Sequence, residues 1–296
     1  MAFTLKPGIR ERVGLIIGLV GPSGSGKTYS AMELAAGICG DRPFALIDTE
    51  NRRGLHYADA YNFNHGDLEP PFNPAAYTEA IDAAERENYG AIVLDNMSHE
   101  WIGDGGLLDW QEAELTRMAG DDWKKRERVK MASWIKPKMA HKKMVQRLLR
   151  VKTNLILCFR AEEKTGVIKK NGKMEVVNLG WQPITEKNLP YELTCSLLLT
   201  PENPGYPIPL KLQEQHKHLF PEDRQINKLS GELMAKWAEG GVPASIGEVM
   251  AEIGNAATLD ELRAVGAAMA AKKLSREDTQ AAREAYKIRQ AELKGA

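Results

Sequence analysis

Eight consecutive residues, Gly21-Pro22-Ser23-Gly24-Ser25-Gly26-Lys27-Thr28, satisfy G-x-x-x-x-G-K-[ST] and constrain the fold of everything around them. Such a loop works only between a buried strand and a helix. The glycines let successive backbone N–H groups turn inward, and the helix that follows adds positive potential at its N-terminus. Both flanks comply: the apolar run Gly14 to Val20 reads as a parallel strand buried on both faces, and Tyr29 to Ile38 reads as a helix. The expected phosphate cradle runs from Gly21 through Pro22, Ser23, Gly24, Ser25 and Gly26 to Lys27, with Thr28 and Tyr29 completing it. In this pattern Lys27 reaches the outer phosphates of ATP and Thr28 offers a hydroxyl to Mg²⁺.

Three further apolar runs end in polar residues at what would be the ligand-binding end of an open sheet. Phe44 to Ile47 delivers Asp48-Thr49-Glu50, Ala91 to Leu94 delivers Asp95, and Asn154 to Phe159 delivers Arg160. Four apolar residues followed by a carboxylate form the Walker B pattern, which makes Asp95 the partner of Thr28 in holding Mg²⁺. The attacking water also needs a carboxylate. Asp95 is followed by Asn96, so the available group is Glu50 on the preceding strand. Strands alternating with helices give an α/β fold with a mostly parallel central sheet flanked by helices.

Between these runs the chain reads as a short helix within Asn51 to Asp59, a minor strand Tyr61 to Phe63, a proline-rich loop Gly66 to Pro74 and a helix Ala75 to Asn88. Gly103 to Ile135 is mostly helical. A further helix presents Met139, Val145, Leu148 and Leu149 to the core, with His141, Lys142, Lys143, Arg147 and Arg150 on its other faces. Ala161 to Pro190 is a long polar segment, Glu192 to Leu199 a strand, and Thr200 to Pro221 an exposed loop. That loop carries His216-Lys217-His218, too few ligands for a metal site. Residues 1–240 form the expected core, closed by a helix Ser230 to Glu239. Gly240-Gly241-Val242-Pro243 is a linker, and 241–296 form a C-terminal α-helical module with helices Ser245 to Ile253, Thr258 to Ala271 and Ser275 to Leu293. Thr258 with Glu261 makes a capping box at the second of these.

Composition narrows the class. At 296 residues and 43% hydrophobic content the chain can bury one full α/β core plus a small appendage. No apolar run has membrane-spanning length and no signal peptide is evident, so a cytoplasmic protein is expected. Cys39, Cys158 and Cys195 lie in separate, mostly apolar stretches and read as buried small hydrophobes. Formal net charge is zero, but Asp41 to Asp121 holds seventeen acidic and five basic side chains, whereas Lys124 to Lys152 holds twelve basic ones and Glu127. So dense a block of like charge points to a nearby anion such as a nucleic-acid backbone.

Two strings carry a resemblance to the RecA recombinase family: Phe44-Ala45-Leu46-Ile47-Asp48-Thr49-Glu50 and Asn154-Leu155-Ile156-Leu157-Cys158-Phe159-Arg160. More narrowly, the chain resembles the phage-encoded, RecA-like single-strand annealing ATPases. That likeness rests on Pro70-Pro71-Phe72, on Asp95-Asn96-Met97-Ser98-His99-Glu100-Trp101 and on Phe159-Arg160-Ala161-Glu162-Glu163-Lys164, and spans about Gly14 to Trp237. The resemblance implies a RecA-like P-loop ATPase core and a homo-oligomer that uses ATP to bind and pair single-stranded DNA in the host cytoplasm. Phage or host single-strand-binding or recombination proteins would be its partners. It makes Glu50 the catalytic glutamate beside Lys27, and puts Arg160 where RecA typically has a phosphate-sensing Gln. Ala161 to Pro190 takes the place of the second DNA-binding loop. DNA contacts are expected from Lys124 to Arg150 and from Lys164 to Lys187, with Trp123, Trp134 and Trp181 available for stacking. Two other readings stay open. One is an AAA-like ATPase that loads or remodels a protein partner such as a replicative helicase; the other is a nucleotide-gated scaffold in which Glu50 does not catalyse.

Overall fold

The computed structural model describes residues 14–170, 173–238, 246–271 and 276–295. The expected linker at Gly240 to Pro243 lies outside them. Two compact units are present, one of them Gly14–Trp237 and the other including the chain from Ala238 onward.

In the first unit the element order is β1 (Ile16–Gly21), α1 (Lys27–Cys39), β2 (Phe44–Asp48), β3 (Phe63–Asp67), α2 (Pro74–Arg86), β4 (Ala91–Asp95), α3 (His99–Ile102), α4 (Leu107–Ala119), α5 (Trp123–Ser133) and α6 (Ile135–Leu148). There follow β5 (Asn154–Lys170), β6 (Lys173–Pro183), α7 (Leu189–Glu192), β7 (Cys195–Leu198), β8 (Ile208–Lys211) and α8 (Lys228–Ala238). The strands form one sheet in the order β3-β2-β4-β5-β1-β7-β8, with β6 paired to β5. Pairing is parallel from β3 through β7 and antiparallel only for β7–β8 and β5–β6. This is the α/β P-loop fold expected from the sequence.

Continuous apolar runs make the central strands what they are: β1, β2 and β4 are buried at every position. One set of alternate residues, including Ile16, Ile47, Ile92, Leu94, Leu155 and Leu157, packs with Tyr77 and Ile81 of α2 and with Met144 and Leu148 of α6. α1 lies across β1, β4 and β5. Ala31, Met32, Leu34 and Ala35 are buried on it, and Glu33 is buried beside them with its carboxylate accepting from Tyr61 Oη at 2.6 Å and Lys228 N at 3.0 Å. Each such apolar side chain contributes about 1.5–3 kcal/mol if large and fully buried. α2 starts where Asn73 Oδ1 caps the N–H groups of Ala75 and Ala76, with Pro74 in the first turn.

Several boundaries differ from expectation. The strand expected at Tyr61 to Phe63 runs instead from Phe63 to Asp67, pairing residue by residue with β2 through Asp48↔Asp67. On α6 the buried face is Pro137, His141, Met144 and Leu148. Met139, at 67% exposure, and Leu149, at 42%, point outward. The 137-141-144-148 spacing is the better helical repeat, and His141 can join it because its Nδ1 lies 2.9 Å from Glu100 Oε1. The polar segment after Arg160 is no loop: β5 continues to Lys170 and returns as β6, a long antiparallel hairpin with Val167 opposite Val176. In the sequence, Asn171-Gly172 is a strong two-residue hairpin signal. Leu189 to Glu192 is a helical turn, so the next strand begins only at Cys195. His216 is buried, edge-on to Trp237 with ring centroids 4.4 Å apart.

The second unit contains α9 (Ile246–Asn255), α10 (Leu259–Ala271) and α11 (Arg276–Gly295) around Val249, Ile253, Leu262 and Ala282. Thr258 Oγ1 caps the Glu261 N–H at 3.2 Å, and Glu261 accepts from the Ala257 N–H at 2.7 Å. Cys39, Cys158 and Cys195 are all free and buried. No helix among the described residues is long and apolar enough to cross a membrane.

Candidate nucleotide-binding site

The glycine loop joins β1 to α1. Gly24 (φ 81°) and Gly26 (φ 85°) both adopt the left-handed backbone that side chains disfavour. Ser25 Oγ donates to Pro22 O at 2.8 Å, and Gly205 N donates to Ser25 O at 3.0 Å, which braces the loop from behind. At Gly21 a Cβ would lie 2.4 Å from both Leu199 O and Ser25 Oγ. Lys27 Nζ donates to Pro22 O at 2.8 Å, so the lysine is folded over the loop it serves. Burial pushes the Lys27 ammonium below its ordinary range, against opposing attraction from Asp95 and Glu50.

β4 ends beside this loop. Thr28 Oγ1 donates to Asp95 Oδ2 at 2.6 Å. Burial pushes the Asp95 carboxyl up to about 6, with the Thr28 hydrogen bond and Lys27 opposing the shift. A hydroxyl and a carboxylate oxygen converging on one point are the hard donors that Mg²⁺ takes, so the two residues fit the ion.

Glu50 follows β2, the neighbour of β4 in register Asp48↔Asp95. Its Oε1 accepts from Asn96 Nδ2, and its Oε2 lies 3.7 Å from Arg53 Nη1. The strand ends are tied together, since Thr49 N donates to Asp95 O at 2.8 Å and Asn96 N to Thr49 Oγ1 at 2.8 Å. Between β4 and β1 lies β5, which puts Arg160 at the same end of the sheet. Arg160 N donates to Ser98 Oγ at 2.9 Å, while the Arg160 side chain is exposed.

A cleft of about 760 Å³ collects Lys27, Thr28, Glu50, Asp95 and Arg160 on one wall system, together with Tyr29. The sequence reading had not singled out Arg53, His56 and Tyr57, which also line it. They sit on a 3-10 turn, Arg53–Tyr57, set by Asp48: its carboxylate accepts from Glu50 N at 2.6 Å and Gly54 N at 2.8 Å, and lies 3.2 Å from His65 Nε2. An Asp ending a strand six residues before a Gly was the available sign of such a turn.

The basic stretch Lys124 to Arg150 occupies α5 and α6. Some of its charge is neutralised internally: Arg126 pairs with Glu112, Lys130 with Glu127, Lys136 with Glu114, and Arg147 with Asp82 and Glu85. Lys124, Lys125, Arg128, Lys138, Lys142, Lys143 and Arg150 are exposed and in no ion pair among the described residues. Trp123 is 68% exposed, Trp134 stacks on Trp101 at 5.6 Å, and Trp181 is half-buried. In the second expected DNA segment, Lys164 pairs with Glu162 at 3.2 Å, while Lys169 and Lys187 are exposed.

A glycine cradle at the mouth of a buried parallel strand, a Lys over it and a Thr–Asp oxygen pair beside it define a P-loop nucleoside triphosphatase. Residues 14–200 match the AAA domain family, and the chain belongs to that family; it is a nucleotide-binding P-loop ATPase. No curated protein matches it. Where AAA motors typically have Asp-Glu at the end of the Walker B strand, this chain has Asp95-Asn96, and Glu50, which follows the neighbouring strand β2, hydrogen-bonds Asn96.

Proposed function

We propose that this ATPase binds single-stranded DNA and uses Mg²⁺-dependent ATP hydrolysis to promote annealing or recombination in a bacteriophage. It would act as a homo-oligomer in the host cytoplasm, beside phage or host single-strand-binding or recombination proteins. One observation carries the reading. The segment α3–α6, whose last two helices carry the basic stretch, and the β5–β6 hairpin leave the carboxyl ends of adjacent parallel strands, Asp95 pairing with Cys158. β5 runs from Arg160 and Glu162 at the cleft directly into the hairpin. A strand bound along these inserts would therefore lie within reach of the groups that handle phosphate.

In the chemistry proposed, Gly24, Gly26 and Lys27 hold the phosphates and Lys27 exchanges its bond to Pro22 O for phosphate oxygens. Thr28 and Asp95 would hold Mg²⁺, which supplies charge neutralisation at the β- and γ-phosphates. Glu50 orients the attacking water, and Arg160 offers a guanidinium to developing negative charge. Fluorescence anisotropy of a labelled oligothymidylate, titrated at several salt concentrations, tests the DNA reading. Tight binding with a steep salt slope is expected; salt-independent or absent binding would overturn it. Membership in the AAA domain family favours a second reading, ATP-driven loading or remodelling of a protein partner. Turnover stimulated by a partner protein and indifferent to DNA would select it.

A further inference from the structure

We propose that the groove between α10 and α11 docks an acidic amphipathic helix of a partner protein. The groove encloses about 510 Å³, and its lining includes Arg263, Gly266, Met269, Arg283, Tyr286 and Lys287. On α11, Arg283, Tyr286 and Lys287 recur at spacings of three and four, which places them on one stripe of the helix. Opposite them, a Cβ on Gly266 would lie 2.8 Å from the Tyr286 ring, so the ring rests on bare α10 backbone. Met269 and Tyr286 back onto the unit's own core of Val249, Ile253, Leu262 and Ala282, which holds this floor in place. The result is an apolar floor under a cationic rim.

Charge selects the occupant. Arg263 already has a partner in Asp260 at 2.9 Å, one turn away on its own helix. Arg283 and Lys287 are exposed, stand in no ion pair among the described residues, and no carboxylate is among the groove's lining residues. A second copy of the same groove would bring like charges together, which disfavours self-association through this face. A nucleic-acid backbone would satisfy the rim but bring no apolar side chain to cover Met269. A helix with apolar residues at i, i+3, i+4 and i+7, flanked by Glu or Asp, satisfies both floor and rim. The groove lies outside residues 14–200, so it is separate from the matched ATPase domain.

The test uses the full chain without nucleotide, which keeps the outcome independent of the ATPase reading. A fluorescein-labelled helical peptide with leucines on one face and flanking glutamates is titrated and followed by anisotropy. Saturable binding is expected, weakened about ten-fold or more in Arg283→Glu/Lys287→Glu, with a lysine-flanked peptide preferring that variant over wild type. Arg283→Gln/Lys287→Gln, checked for unchanged helical circular dichroism, should give an intermediate loss. Absence of binding to wild type, or equal binding to the reversed-charge variant, would overturn the proposal. So would loss of labelled oligothymidylate binding in that variant without loss of peptide binding, which would make the groove a nucleic-acid site.

Discussion

Asn96 holds Glu50 in place: its Nδ2 donates to Glu50 Oε1, while its own Oδ1 accepts the backbone N–H of His99 at 3.1 Å. The Glu50 carboxylate, proposed to orient water, is thereby fixed to the residue after Asp95 and to the start of α3. Glu50→Gln should lower kcat by about 10²- to 10³-fold while nucleotide still binds. Asn96→Ala removes the tether on Glu50 together with the bond to His99 N, and a fall of about ten-fold in kcat at unchanged KM is expected in steady-state assays. A raised KM with kcat unaltered would show that Asn96 serves binding instead.

Lys27 is half-buried over the loop and bonded to Pro22 O, where its ammonium is placed to meet the phosphates of a bound nucleotide. A nucleotide at a hundred times its Kd stabilises the folded state by about 2.7 kcal/mol, roughly 5–10 °C in Tm for a unit of this size. Thermal melts with a slowly hydrolysed ATP analogue and Mg²⁺ should show that shift in wild type and lose most of it in Lys27→Ala. An undiminished shift in the variant would place the nucleotide elsewhere.

Much of this site was legible before any coordinates, because the glycine loop dictates its strand and helix and a buried strand ending in Asp has few other uses there. Three things were not. The α6 face differs because a histidine in sequence reads as a surface residue, and only the hydrogen bond of His141 to Glu100 makes it a core one. The hairpin after Arg160 is hard to read because its strands carry exposed Lys, Glu and Val without clean alternation, although the dipeptide Asn171-Gly172 is a hairpin signal in the sequence. Arg53, His56 and Tyr57 enter the cleft through the turn that Asp48 anchors, a long-range consequence of one carboxylate that periodicity cannot register.

His216 gives the first unit an acid-sensitive point. Burial lowers its pKa below 6.5, and neither ring nitrogen has a hydrogen-bond partner among the described residues. A depressed histidine pKa means that the unfolded chain takes the proton first. Stability is therefore full above about pH 6.5 and falls as pH drops from there toward the folded-state pKa, by up to about 1.4 kcal/mol per pH unit. Urea melts at about pH 7.5 and about pH 5.5 should show a smaller acid loss for His216→Phe than for wild type. An equal loss would assign the acid sensitivity to other groups.

The unpaired and paired cations of α6 should behave differently toward DNA. Lys142 and Lys143 are exposed and in no ion pair among the described residues, whereas Lys136 is 2.9 Å from Glu114. Lys142→Glu/Lys143→Glu should flatten the salt dependence of oligothymidylate binding by about one unit of slope or more, and Lys136→Ala should leave it nearly unchanged. Equal effects would mean that the internal pairing does not decide which side chains meet phosphate.

In the proposed function, the cleft joining Lys27, Thr28, Glu50, Asp95 and Arg160 hydrolyses ATP in response to DNA bound on the segments that leave the same end of the sheet. Steady-state ATP hydrolysis with Mg²⁺, measured with and without single-stranded DNA, addresses it most directly. The expected result is slow basal turnover that rises at least ten-fold with DNA at low salt, loses the rise at high salt, and is absent in Glu50→Gln. A rate indifferent to DNA at both salt concentrations, or one that Glu50→Gln leaves intact, would contradict it.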